Sequence, residues 1–327
     1  MRGFTMLLVV YSHVMGFCLG DRSMGFNDVF FLFRLPCFFF ISGWLFYKPY
    51  EPTDFKPIVR KKFMVQIIPT FIFLLLLAPP PLFFSRLGAL KGGYWFTFAL
   101  FEFFVIYLST SLLLRKCRQR DGLMLLMAFG ISVTAFAYDV CYNGIDHQLG
   151  WLKDVLGALS FMTWRYYLFF FLGTLAKKHF KLFLCFTNKK SVIAIVITGF
   201  IAIALLPHTD LAILEYTRFA IGGILGMTTV FTFFRTFSSW FAKEKPIGNA
   251  LQVIGTRTLD IYLLHYFFLP RFLLPIGERL NAVGSSVMEL TVGLFLASIV
   301  TAICLLVSHI VRLSPFLAHY LFGAKKE

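Results

Sequence analysis

The chain has 327 residues, 58 % of them hydrophobic and only 14 % charged, with 43 phenylalanines and a formal net charge of +15. A soluble domain carries about a quarter charged residues, so the composition excludes one, and the mean hydropathy of +0.77 points to an integral membrane protein. The positive charge does not indicate a nucleic-acid partner, because Lys and Arg fall in short runs between apolar segments, as membrane topology requires.

Apolar runs of about twenty residues, long enough to cross a bilayer, recur from end to end. They predict an all-α, polytopic helical bundle of about ten transmembrane helices, in a single domain over 1–327. The spans are expected near 2–20, 28–47, 63–84, 94–114, 122–142, 155–176, 191–206, 211–236, 257–276 and 286–312. Pro69 and the run Pro79-Pro80-Pro81 are expected to distort or end the third. The first twenty residues have the basic start and apolar body of a signal peptide. No small-x-small cleavage site follows, so they are expected to remain as the first span. Connections after even-numbered spans are rich in Lys and Arg, whereas the opposite connections hold only Arg22, Arg86, Lys91, Lys153, Arg271 and Arg279. The positive-inside rule then puts both termini in the cytoplasm. Cys18, Cys37, Cys117, Cys141, Cys185 and Cys304 are scattered without a C-x-x-C, which predicts neither a metal site nor a disulfide framework.

Charges within spans are unfavourable and therefore functional candidates. They are His13, Arg34, Glu102, Asp139, Arg165, Glu215, Arg218 and His265. In "RGFTMLLVVYSH", residues 2–13, eleven positions turn a helix by about 1100°, close to three full turns, and advance it about 16 Å. Arg2 and His13 therefore share a face, one at the cytoplasmic rim and one near mid-membrane. That suits a two-ended substrate, with an anionic group held at the rim and chemistry at a histidine, a side chain that titrates near ~6.5 when unperturbed. The plainer reading makes Arg2 a topology anchor and bonds His13 to a backbone carbonyl. Glu102, two turns below Trp95, reaches a comparable depth and is expected to orient His13 as the third member of a triad would. Its alternatives are a protonated carboxyl or a pair with Arg34 or Arg165. Arg34 and Arg165 are expected to bind an anion, as a guanidinium does with its fork of donors, or to form structural pairs with Glu102 or Asp139. Glu215 and Arg218 are expected to pair with each other. Arg60, Lys61 and Lys62 form a topology signal, a contact to lipid headgroups, or a binding site for nucleotide phosphates.

Several stretches together resemble the acyltransferase 3 family of membrane acyltransferases. "RGFTMLLVVYSH" is similar to its arginine–ten residues–histidine signature and "FRLPCFFFISGWLF" to its second helix. "VRKKFMVQIIPTFIF" is similar to its basic loop, "GYWFTFALFEFFVIY" to its fourth helix and "IGTRTLDIYLLHYFFLP" to its ninth. The resemblance implies a ten-helix enzyme of a bacterial inner membrane that moves acetyl groups from cytoplasmic acetyl-CoA to hydroxyls of surface carbohydrates. It makes His13 the catalytic histidine and Arg2 the signature arginine, and Glu102 and His265 match positions of the shared pattern. Two departures stand out. The family has an acidic residue a few positions before the arginine, where this sequence opens Met-Arg-Gly. It also often has a second arginine in the basic loop, where this sequence has Val65 and Gln66.

The expected function is that of an O-acyltransferase, acting on a carbohydrate or lipid-linked glycan among the lipids of the membrane. His13 would be the general base and Glu102 would orient it. Arg2, Arg60, Lys61 and Lys62 would hold the phosphates of the acyl-CoA donor. Arg34, Trp95, Arg165, Tyr166 and His265 would form the substrate side, the two aromatic rings stacking on a sugar. The rival readings are a secondary transporter or flippase, which should show an internal repeat with matched broken helices, and an acyltransferase-like protein without catalysis.

Overall fold

The computed structural model describes residues 1–20, 26–49, 54–77, 91–145 and 151–324, and among these residues there are helices and turns but no strand. The first half holds α1 (Arg2–Cys18), α2 (Phe26–Phe46), α3 (Phe55–Lys62), α4 (Ile68–Leu77), α5 (Trp95–Leu113), α6 (Arg120–Ile145), α7 (Trp151–Ala158) and α8 (Tyr167–Lys178). The second half holds α9 (Phe180–Asn188), α10 (Lys190–Ala204), α11 (Ala212–Thr236), α12 (Pro246–Thr256), α13 (Thr258–Leu264), α14 (Leu274–Val283), α15 (Ser286–Val311) and α16 (Pro315–Phe322).

Five of these helices are long and apolar enough to cross a bilayer: α2, α5, the Arg120–Val140 part of α6, α11 and α15. Each coincides with an expected span. Two more follow if bent pairs count as single spans. One is α9 with α10, bent by 80°, and the other is Thr258–Phe267 with Arg271–Leu280, bent by 59°. The first expected span appears as the shorter apolar helix α1 of 17 residues. It stops where the Leu19 amide reaches back to the Val14 carbonyl at 3.1 Å and Gly20 turns to φ +77°, a region that glycine enters without steric penalty. The sixth expected span is assembled from α7, a 3₁₀ stretch Phe161–Tyr166, and α8.

Pro69 distorts the third expected span without ending it. A proline ring clashes with the carbonyl four residues back and offers no N–H. The chain answers with a π-helical turn, Phe63–Ile67, in which the Ile68 amide bonds to the Phe63 carbonyl, and then continues as α4. Thr70 Oγ1 donates to the Gln66 carbonyl at 2.6 Å. Pro79-Pro80-Pro81, Arg22 and Arg86 lie outside the described residues. Cys18, Cys37, Cys117, Cys185 and Cys304 are free thiols.

Contacts group the chain into two compact units. The first comprises Met1–Phe38, Leu184–Pro207 and Arg218–Ser314, and the second Phe39–Phe183, His208–Thr217 and Pro315–Glu327. In the first, α1 lies against α12, α13 and α15. Met6, Val10, Tyr11, Val14 and Met15 of α1 are buried, so its apolar residues fill that core. Gly3 permits the approach to α12, since a Cβ there would stand 1.9 Å from the Leu251 carbonyl oxygen.

In the second unit α2 and α8 touch through a reciprocal pair of glycines. A Cβ on Gly43 would stand 2.0 Å from the Phe170 carbonyl oxygen, and one on Gly173 2.0 Å from that of Phe40. The close helix approach expected at Ser42-Gly43 is present. Phe39, Phe103, Tyr166, Tyr167 and Phe170 pack around it as an aromatic core. Gly43→Ala is expected to force the backbones apart and to destabilise the protein by about 1–3 kcal/mol, the usual effect of overpacking. Thermal unfolding in detergent reads this as a lower Tm; an unchanged Tm would mean that the two helices part without penalty.

Candidate active site

α1 runs unbroken from Arg2 to Cys18, so the eleven-residue spacing keeps both ends of the signature on one helix. His13 is partly exposed and its imidazole meets a second one. His13 Nδ1 lies 2.6 Å from His265 Nε2, and the two rings are parallel to within 6°. His265 is fully buried where α13 gives way to the 3₁₀ turn His265–Phe267, and its Nδ1 lies 3.1 Å from the Ile261 carbonyl oxygen.

These contacts fix the tautomers. A carbonyl oxygen only accepts, so His265 carries its proton on Nδ1 and offers a lone pair at Nε2. His13 must then donate from Nδ1, which leaves His13 Nε2 as the basic nitrogen. The Tyr266 hydroxyl is 3.5 Å from that Nε2, a long contact a ligand hydroxyl can displace. A lone pair left on one ring nitrogen of a partly exposed histidine, with the other nitrogen anchored, is the arrangement of a general base. Sequence reasoning placed His265 on the substrate side; the structure makes it the partner of His13.

A buried clamp holds the helix that carries His265. Asp260 on α13 accepts from Arg312 Nε at 2.7 Å, Arg312 Nη2 at 2.8 Å and Ser308 Oγ at 2.5 Å. Its only sequence signal was an aspartate five positions before the histidine in "TLDIYLLH".

Arg34 is in the same unit. Its Nη1 donates to Asn27 Oδ1 at 3.1 Å, its guanidinium lies 5.1 Å from the Phe31 ring centroid, and it is within electrostatic reach of His13. Arg2 is exposed and lines a cavity of about 280 Å³ with Gly255 and Thr256.

Trp95, Glu102, Arg165, Tyr166 and Glu215 belong to the second unit. Glu102 Oε2 accepts from Trp164 Nε1 at 2.8 Å, a partner the sequence did not suggest. Lys91, at the turn before α5, donates to the carbonyls of Ala158 at 2.6 Å and Gly157 at 3.2 Å. Burial pushes the Lys91 ammonium below its ordinary pKa, and the nearby Glu102 charge pulls it back up. Trp95 stays partly exposed. Tyr166 is 1 % exposed and stacks on Phe39 and Trp95, so the expected sugar platform at Tyr166 gives way to a core ring. Arg165 pairs with Asp139. Glu215 and Arg218, expected to pair with each other, each engage another partner. Arg218 Nη2 bonds Asp28 Oδ2 at 3.0 Å, while Glu215 accepts from the Thr209 amide and lies 3.4 Å from His208.

Of the basic loop, Arg60 and Lys61 are exposed, whereas Lys62 Nζ sits 4.2 Å from the Phe104 ring centroid. Lys61 and Lys62 line a cavity of about 400 Å³ with Lys48 and Asp54. Exposed cations beside a cavity suit a polyanionic donor, and Lys62 is partly engaged by its cation–π contact.

No curated protein and no solved structure matches this chain. A family model does, described as an acyltransferase domain, over residues 1–309. That match takes in the arginine–histidine helix, four of the long apolar helices with nearly all of the fifth, and the turn that brings the second histidine to the first; this integral membrane protein belongs to the acyltransferase 3 family.

Proposed function

We propose that this protein is an O-acyltransferase of a bacterial cytoplasmic membrane, with both termini in the cytoplasm. It takes an acyl group, acetyl in the simplest case, from cytoplasmic acyl-CoA and places it on a hydroxyl of a carbohydrate or lipid-linked glycan. The observation that carries the reading is the hydrogen bond from His13 Nδ1 to His265 Nε2, which leaves a basic nitrogen at a partly exposed position. The acceptor hydroxyl gives its proton to His13 Nε2 as its oxygen attacks the thioester carbonyl. The tetrahedral adduct collapses, the C–S bond breaks, and the sulfur leaves as a thiol with the proton that His13 returns. His265 accepts from His13 throughout, most strongly while His13 is an imidazolium. Arg34, in the same unit as His13, would polarise the carbonyl, and Arg2 would hold a phosphate of the donor. An acyl-histidine at Nε2 is the variant if donor and acceptor arrive from opposite faces.

Inside-out vesicles carrying the protein, given [¹⁴C]acetyl-CoA, should place label in the glycan or glycolipid fraction. Label that stays in acetyl-CoA while the protein binds it would mark an acyltransferase-like protein without catalysis. A transporter or flippase reading draws on the two broken helices. Among the described residues both bent pairs, broken at 189 and 268–270, lie in the C-terminal half of the sequence, whereas paired repeats would put one in each half.

His265→Ala is expected to lower kcat roughly 10–100-fold, the worth of one hydrogen bond to a charged group. The KM for donor should change little, and His265→Gln, whose side-chain oxygen can accept from His13, should restore part of the rate. Equal losses in the two variants would reduce His265 to a packing residue.

A further inference from the structure

Four helix ends of the second unit meet around a cavity of about 260 Å³. Lys48 follows α2, Arg115 follows α5, Arg120 and Asp121 open α6, and Lys178 closes α8. These are ends that the positive-inside rule assigns to the cytoplasmic surface. Four cations face one carboxylate, and that carboxylate is taken. Lys178 Nζ donates to both Asp121 oxygens at 2.6 and 2.8 Å, and His179 Nε2 lies 2.8 Å from Oδ2.

The helix dipole accounts for Lys48, Arg115 and Lys178, since cations are favoured at helix C-termini. It does not account for Arg120. That residue is the first of a 26-residue helix, where the dipole opposes a cation. Its guanidinium bonds Ser111 Oγ through Nη2, and its Nε is buried with no hydrogen-bond partner among the described residues. Lys48 and Arg115, on the same cavity, are exposed.

We propose that this cavity binds a phosphate ester, whose oxygens accept from the exposed Arg115 and Lys48 beside the Arg120 guanidinium. The ester lies at the N-terminus of α6, which favours an anion as strongly as it disfavours Arg120 alone. The ester has two sources: the headgroup of an acidic phospholipid, or the phosphorylated nucleotide end of a soluble donor. The second source rests on the acyl-CoA reading above, and the first does not.

The test uses full-length protein in phosphatidylcholine nanodiscs titrated with adenosine 3′,5′-bisphosphate. The second arm measures Tm in nanodiscs containing phosphatidylglycerol. The expected result is that one probe binds or stabilises wild type and that Lys48→Gln/Arg115→Gln/Arg120→Gln weakens this at least about tenfold. Lys181→Gln/Lys189→Gln/Lys190→Gln removes the same charge from exposed positions outside the cavity and should respond as wild type does. Stabilisation by phosphatidylglycerol alone identifies a lipid, and binding of the bisphosphate alone identifies the soluble nucleotide. No response of wild type to either probe, or equal responses of wild type and the cavity variant, would overturn the proposal. If the triple variant does not fold, Lys48→Gln/Arg115→Gln carries the same comparison at two exposed positions. His13→Ala should bind as wild type does, so loss of turnover and loss of this site are read separately.

Discussion

His13→Ala is expected to lower kcat for acyl transfer by about 10²–10⁴-fold, the usual contribution of a positioned general base, while leaving the KM for acyl-CoA nearly unchanged. The split follows from what the residue touches. His13 Nδ1 is committed to His265, and Nε2 is the atom left for the reacting hydroxyl. An interaction made only as the proton moves raises kcat without tightening ground-state binding. Arg2 should show the opposite pattern. Arg2→Gln removes a charge from an exposed cavity about 16 Å along the helix, and is expected to raise the KM for acyl-CoA by about tenfold with a smaller change in kcat. Steady-state kinetics with a thiol-trapping assay reads both. A His13→Ala enzyme that loses donor affinity but keeps its kcat would remove the base from the account.

Asp260→Ala is expected to destabilise the protein by about 3–5 kcal/mol, the range for breaking a buried ion pair from one side. Asp260 is 1 % exposed and receives three hydrogen bonds, two of them from the Arg312 fork. Removing the carboxylate leaves a guanidinium that is only 21 % exposed without its counter-charge. Replacing both residues by apolar ones, Asp260→Leu with Arg312→Met, should recover most of the loss, because neither charge is then buried alone. The clamp also holds α13, at whose end His265 stands, so the single variant should lose activity beyond what its lower Tm explains. Thermal unfolding in detergent, with activity assayed well below the Tm, separates the two effects. If the double variant melts no higher than Asp260→Ala, the pair contributes nothing as a pair.

The long apolar elements were legible because a bilayer imposes a length and a polarity on each. α2, α5, α11 and α15 lie within a few residues of their expected bounds. Pro69 signals a distortion of its helix, but not the form it takes, a π turn over Phe63–Ile67. Gly43 signalled a close contact, although not its partner Gly173, 130 positions away. The same gap limited the site. His13 and His265 were each singled out as polar groups in apolar helices, yet nothing in one sequence says which of several such groups meet, and they are 252 residues apart. Glu102 was offered to His13, and within its own unit it bonds Trp164, an indole that hydropathy counts only as apolar. Arg165 and Arg218 were legible as charges that need partners. Asp139 and Asp28 are the carboxylates that meet them.

The most direct measurement follows release of free thiol from acetyl-CoA by the purified protein in lipid nanodiscs, supplied with a lipid-linked glycan acceptor, beside His13→Ala in the same lipid. The account predicts acceptor-dependent thiol release by wild type, with label from [¹⁴C]acetyl-CoA recovered as an oxygen ester, and a rate for His13→Ala lower by at least about 10²-fold. Equal rates for the two proteins, or a folded wild type that neither binds acetyl-CoA nor releases thiol with any glycan offered, would contradict it.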